Sequence, residues 1–167
     1  MPATPRPAFV IGYNPFRYGA GGTIAVLAVS PADPPSFRLV HERRLDGMPW
    51  MNQAEALREV CATCHPAQVG IDTTGQGWGV WELVRESEEA IVEIVYTEAT
   101  KRAMADNAAT LLAAGRLDIG EELAAVLLQE AADLDAALAP LNKLRMAVLH
   151  ALYVYESLPA THGAPTS

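Results

Sequence analysis

Apolar residues first recur in short unbroken runs and later at helical spacing, and this change of period lays out the chain. Residues 8–13 read as a buried strand, followed by turn chemistry at Asn14-Pro15 and at the glycines of 19–22. The β-branched run 23–29 reads as a central strand. A loop with three prolines (30–36) leads to a mixed apolar and polar stretch, 37–45, expected to lie at the sheet edge. Strand, turn, strand, loop, strand is a meander of antiparallel neighbours. From Asn52, a plain cap with Glu55 three residues on, the apolar positions Ala54, Leu57, Val60 and Cys61 predict a helix that stops at His65-Pro66. A strand over 69–71 then runs into Asp72, a glycine-rich turn and a helix over 78–86. A fifth strand (90–96), a helix capped by Thr97 and ending at Gly115, a short extended piece (116–120) and a long helical region (121–157) broken at Pro140 complete the pattern.

The order β-β-β-α-β-α-β followed by helices predicts an α/β fold. Its sheet would be mixed and five-stranded, with three antiparallel strands, two parallel crossover strands and helices on both faces. One domain is expected over 8–158, between tails at 1–7 and 159–167. Right-handed crossovers would set the Asp72 strand beside the first, bringing Asn14 next to Asp72.

Composition narrows the classes. The 167 residues are 50% apolar and 19% charged, as in a globular domain, but the net charge is −8 and the pI about 4.9. Such a chain is repelled by a phosphate backbone unless a local basic patch or a metal intervenes. Prolines occupy the N-terminal stretch where a signal peptide needs an apolar run, and no run is long enough to span a membrane. A cytoplasmic protein with reduced cysteines, away from membranes, is expected.

The candidate chemistry centres on Asp72, at the carboxyl end of a strand where open α/β sheets place their sites. Asp72 has two readings: a metal ligand, or the cap of the glycine turn and its following helix. Gly75, Gly77 and Gly79 lack the spacing and the Lys-Ser/Thr of a P-loop and are read as turn formers. Cys61-Ala62-Thr63-Cys64-His65 matches the haem-attachment pattern, but such attachment implies export, so no haem is expected. A zinc site there would have to recruit His41, His150 or a carboxylate; the simpler reading is two small residues packed one turn apart. Trp50, Trp78 and Trp81 are base-stacking candidates, with Trp78 and Trp81 expected in the core. Arg38, Arg43 and Arg44 form the best basic patch.

The element order and turns resemble the ribonuclease H-like fold, and more closely the nuclease domain of the large terminase subunit of tailed phages. The resemblance rests on Val10-Ile11-Gly12-Tyr13-Asn14-Pro15, on Ile71-Asp72-Thr73-Thr74-Gly75-Gln76-Gly77, on Lys101 and on Gly115-Arg116-Leu117. It implies a DNA endonuclease whose carboxylates hold two Mg2+ or Mn2+ ions at the scissile phosphate. Asn14, however, stands where that family has Asp. The stretch 141–152, where the third carboxylate belongs, carries Lys143 and Arg145 instead. The ATPase domain that precedes the nuclease in a complete terminase is also missing from this sequence.

Two readings follow. One is a stand-alone, catalytically degenerate domain of phage or prophage type. It would bind DNA through Arg43, Arg44, Lys101, Lys143 and Arg145, or bind a protein of a packaging or prophage system. The other is an active metal-dependent endonuclease built on Asp72, with Glu156, Asp133, Asp135 or Asp118 completing its ligands.

Overall fold

A computed structural model describes residues 8–15, 21–75, 77–87, 90–130, 133, 136–137 and 139–156. Both expected tails, part of the first turn, Gln76 and Asp135 lie outside the described residues.

The first three strands, β1 (Ala8–Asn14), β2 (Thr23–Val29) and β3 (Phe37–Arg44), form the expected antiparallel meander. Helix α1 (Trp50–Cys64) crosses to β4 (Gln68–Asp72), which pairs in parallel with β1. Helix α2 (Gly77–Val84) crosses to β5 (Ile91–Ile94), parallel to β4. Helix α3 (Glu98–Ala113) leads to β6 (Leu117–Asp118), followed by α4 (Glu121–Val126) and α5 (Pro140–Glu156). The sheet order is β5-β4-β1-β2-β3-β6.

Three local expectations change. The sheet has six strands, because the piece after Gly115 pairs in parallel with Phe37 and Arg38, so β3 is not the edge strand. Helix α1 starts at Trp50 with Pro49 as its cap residue, placing Asn52 inside the first turn. The start is drawn forward because Gln53 is already tied down. Its Oε1 accepts from the Tyr13 hydroxyl (2.6 Å) and the Gly22 amide (3.2 Å), and its Nε2 donates to the Met48 carbonyl (2.7 Å). Finally, Pro140 opens α5 rather than interrupting a long helix, and α4 has already ended at Val126. A proline has no amide to lose at a helix's first position, and its φ suits that place.

Strand alternation divides the core between the two faces. Ile11, Tyr13, Ile24, Val26, Val69 and Ile71 pack with α1 and α2. Val10, Ala25, Leu27, Val29 and Phe37 pack with α3, α4 and α5. Two glycines seat α5 on that second face. Gly12 and Gly70 are direct partners in the β1–β4 ladder. A Cβ on Gly12 would lie 1.7 Å from the Ala147 carbonyl oxygen, and one on Gly70 2.9 Å from that of His150. The helix backbone therefore rests on the sheet backbone, and only glycine permits that approach.

Candidate functional site

The β1–β4 register pairs Tyr13 with Ile71, so the next positions, Asn14 and Asp72, lie side by side at the carboxyl ends of both strands. Alternation puts both on the face of Gly12 and Gly70, toward α5. This is the juxtaposition the crossover argument predicts.

Both residues are buried, Asn14 at 4% exposure and Asp72 at 8%. The Asn14 side chain donates through Nδ2 to the Lys143 carbonyl on the first turn of α5 (3.3 Å). Asp72 Oδ1 accepts from the Thr74 amide (2.8 Å), closing an Asx turn. Gly75 follows at φ 80°, a conformation L side chains rarely adopt. A Cβ on Gly77 would lie 1.7 Å from the Asp72 carbonyl oxygen. The turn-capping geometry of Asp72 is therefore present. Burial pushes its carboxyl above the ordinary carboxylate range, and the Thr74 hydrogen bonds pull partly the other way.

Neither cation of α5 forms an ion pair with Asp72 among the described residues. Lys143 is 3% exposed, and its ammonium runs to the Asp46 carboxylate in the loop after β3 and to the Gly21 carbonyl (3.5 Å). Arg145 donates through Nε to the Leu127 carbonyl (2.8 Å), one of the carbonyls left over at the end of α4. Burial lowers its guanidinium below the usual range, with Tyr96 and Glu130 opposing.

A second polar cluster adjoins the first. The Tyr96 hydroxyl bonds His150 Nε2, and His150 Nδ1 lies 3.0 Å from the Tyr13 carbonyl oxygen. A carbonyl can only accept, so Nδ1 carries the proton and Nε2 accepts from Tyr96. Full burial pulls the imidazole down to about 4, opposed by the bond to Tyr13. The Tyr96 hydroxyl is pushed up, first by burial and then by the Asp72 charge. The Tyr96 amide donates to Thr74 Oγ1 (2.8 Å), tying the Asp72 turn to the end of β5.

The remaining candidates lie apart. Arg43 pairs with Glu59 (2.7 Å), Arg44 with Glu42 (3.3 Å) and Lys101 with Glu98 (3.2 Å). With Lys143 and Arg145 held as described, each of these cations is engaged with a partner within the chain. Cys61 is buried on α1, and Cys64 donates to the Val60 carbonyl (3.1 Å), as expected for packed thiols. Trp78 is 54% exposed, against the expectation of core packing, and Trp81 is half-buried beneath Arg85. The reason is that α2 turns Val80 and Val84 to the sheet, leaving Trp78 on its outer side. Asp118 sits on β6 at the sheet edge, Asp133 accepts from the Ala136 amide, and Glu156 is the last residue of α5. Among the described residues no group of three or more His, Cys, Asp or Glu side chains is placed to hold a metal. Asp46 and Tyr96 escaped the sequence reading, since one looks like a turn residue and the other like a strand end.

A family model described as the terminase RNaseH-like domain matches residues 19–133. The chain belongs to this family. The ATPase subunit of the terminase of Escherichia phage P2 is 34% identical over 113 residues, covering 68% of this chain and 19% of that protein. A probable terminase ATPase subunit of Haemophilus phage HP1 is 27% identical over 111 residues, 66% of this chain and 18% of that protein. This chain thus spans about a fifth of the length of those relatives. The magnesium-bound large terminase nuclease of thermophilic phage G20c superposes with a TM-score of 0.64 at 14% identity, covering 89% of this chain and 82% of that one. Its zinc-bound form gives 0.62 at 16% identity, covering 87% and 80%. The fold is ribonuclease H-like, of the terminase nuclease type. The family match begins after β1 and ends before α5, so the segments carrying Asn14 and Lys143 lie outside it.

Proposed function

We propose that this terminase-nuclease-like domain has lost metal-supported cleavage and acts by binding a protein partner of a phage packaging or prophage system. The observation that carries the reading is the chemistry of the strand ends. Of the three positions where carboxylates would meet, only Asp72 has one; Asn14 offers a neutral amide and α5 a buried lysine. Two-metal cleavage needs several anionic oxygens to balance two dications, and one carboxylate does not supply them. A protein partner is favoured over DNA because the net charge is −8 and the candidate cations are dispersed and engaged within the chain. Arg43, Arg44, Lys101, Lys143 and Arg145 would have to surrender their present contacts to form a phosphate-binding track.

One observation supports a second reading, a divalent-metal-dependent endonuclease using Asp72. Its buried carboxylate has no ion-pair partner among the described residues, and such groups collect at functional sites. Incubating the protein with supercoiled plasmid and Mn2+, beside Asp72→Ala, separates the two. No cutting by either protein is expected; metal-dependent nicking that vanishes in the variant overturns the proposal. Fluorescence anisotropy with labelled duplex DNA tests the choice of partner. No salt-sensitive rise in anisotropy is expected, and one lost on charge reversal at Arg43 and Arg44 restores DNA as the partner.

A further inference from the structure

The fold family implies divalent metal at the carboxyl ends of β1 and β4, and the donor set here does not fit it. Asn14 offers one neutral amide oxygen and Asp72 a single carboxylate, already hydrogen-bonded to the Thr74 amide, which is too little negative charge to balance a pair of dications. At the same end of the sheet lies a buried ammonium, that of Lys143, directed to Gly21 and Asp46.

We infer that Lys143 is a built-in cation that fastens the strand-end loops to α5, making this end of the domain independent of divalent metal. The inference rests on the proposed non-cleaving reading of the site and names the group that supersedes the metal. Three segments meet at the lysine. Its own carbonyl receives Asn14 from the end of β1 (3.3 Å). Its ammonium reaches the Gly21 carbonyl in the β1–β2 connection (3.5 Å) and the Asp46 carboxylate after β3.

Those two loops are already in backbone contact, since a Cβ on Gly21 would lie 1.8 Å from the Leu45 carbonyl oxygen. The lysine thus sits over a close-packed junction whose carbonyl and carboxylate oxygens need a positive charge. Lysine supplies that charge on three rotatable donors, without the near-octahedral set of oxygens that magnesium requires. At 3% exposure the ammonium is costly to bury alone, and Asp46 and the Gly21 carbonyl both help to offset that cost.

The ion pair also gives Asp46, half-exposed, a partner that competes with any incoming metal. A metal seeking Asp46 would therefore have to displace the Lys143 ammonium.

Thermal unfolding of the full chain in EDTA and in excess Mn2+ tests the inference. The wild-type midpoint is expected to be the same in both. Lys143→Met, which keeps the length and drops the charge, should unfold several degrees lower in both media. Asn14→Asp combined with Lys143→Asp should be weak in EDTA and regain several degrees as Mn2+ saturates. Should the double variant fail to fold, wild type and Lys143→Met still decide. A saturable Mn2+-dependent rise in the wild-type midpoint, removed by Asp72→Ala, overturns the inference. So does a Lys143→Met midpoint equal to wild type. Plasmid cleavage by the wild type would overturn the proposed function itself; metal binding without cleavage would overturn only the inference.

Discussion

Asp72 and Asn14 are neighbours at the ends of adjacent strands, yet their surroundings have diverged. On the Asp72 side the local chemistry is that of a carboxylate in a glycine turn. It accepts from the Thr74 amide, Gly75 is left-handed, Gly77 packs on its carbonyl, and Tyr96 closes the turn through Thr74. On the Asn14 side the polar groups turn inward, Asn14 to the Lys143 backbone and Lys143 to Asp46 and Gly21. One side keeps a buried charge that lacks an ion pair among the described residues, and the other neutralises its charge internally. The turn gives Asp72 a structural role through the Thr74 amide, whereas the Asn14 amide serves the first turn of α5.

The support common to both sides gives the largest expected effect. Gly12→Ala would drive a Cβ into the α5 backbone at Ala147. A loss of about 3 kcal/mol or more is expected, read by urea unfolding, because backbone atoms cannot move aside as side chains do. A loss under about 1 kcal/mol would mean that α5 does not seat as closely as described.

His150, buried between the two sides, comes next. His150→Leu leaves the Tyr96 hydroxyl and the Tyr13 carbonyl without this partner and should cost about 2–3 kcal/mol. The wild type should also be sensitive to acid. Burial pulls the folded imidazole down to about 4, against an ordinary value of 6.5, so the unfolded chain takes the proton first. Its contribution is present in full above about pH 6.5 and declines as the pH falls through about 4. The span amounts to about 3 kcal/mol. Urea midpoints of wild type and His150→Leu from pH 7 to 4 should converge, and a constant gap would refute the role.

Smaller effects probe the Asp72 side alone. Gly75→Ala meets no atom within 4 Å but must hold φ near 80°, so about 1 kcal/mol is expected. Asp72→Asn keeps an oxygen for the Thr74 amide and removes a buried charge. Because burial raises the folded carboxyl above its ordinary value of 3.8, the wild type is best off below that pH and loses stability as the pH rises through the folded value. The variant should be more stable than wild type at neutral pH and unchanged near pH 3, read by urea midpoints. A clear loss at neutral pH would show that the charge itself has a stabilising partner, and the contrast between the sides would narrow.

Much of the fold was legible because short apolar runs, glycine turns and helical periods are local signals. The meander, both crossovers and the adjacency of Asn14 to Asp72 follow from them. The mixed pattern of 37–45 points to a sheet edge at β3, whereas the edge lies at β6, a two-residue strand with too little pattern to announce its pairing. The helix start at Trp50 was missed because it depends on Gln53 being held by Tyr13, Gly22 and Met48, contacts remote in sequence. Trp78 and Trp81 stand one turn apart on α2, a spacing that points to the core, but Val80 and Val84 already fill the sheet side of that helix.

For the candidate site, the sequence by itself determined which charges are present: one aspartate in the turn, an asparagine at the end of β1, and lysine and arginine on the last helix. Side-chain identity sets charge, and no packing can make a carboxylate of Asn14 or Lys143. Where each charge points was decided only by the tertiary structure. Lys143 turns to Asp46, Arg145 to the end of α4, and Asp72 to its own turn, because each buried polar group takes the nearest complementary partner that packing brings within reach.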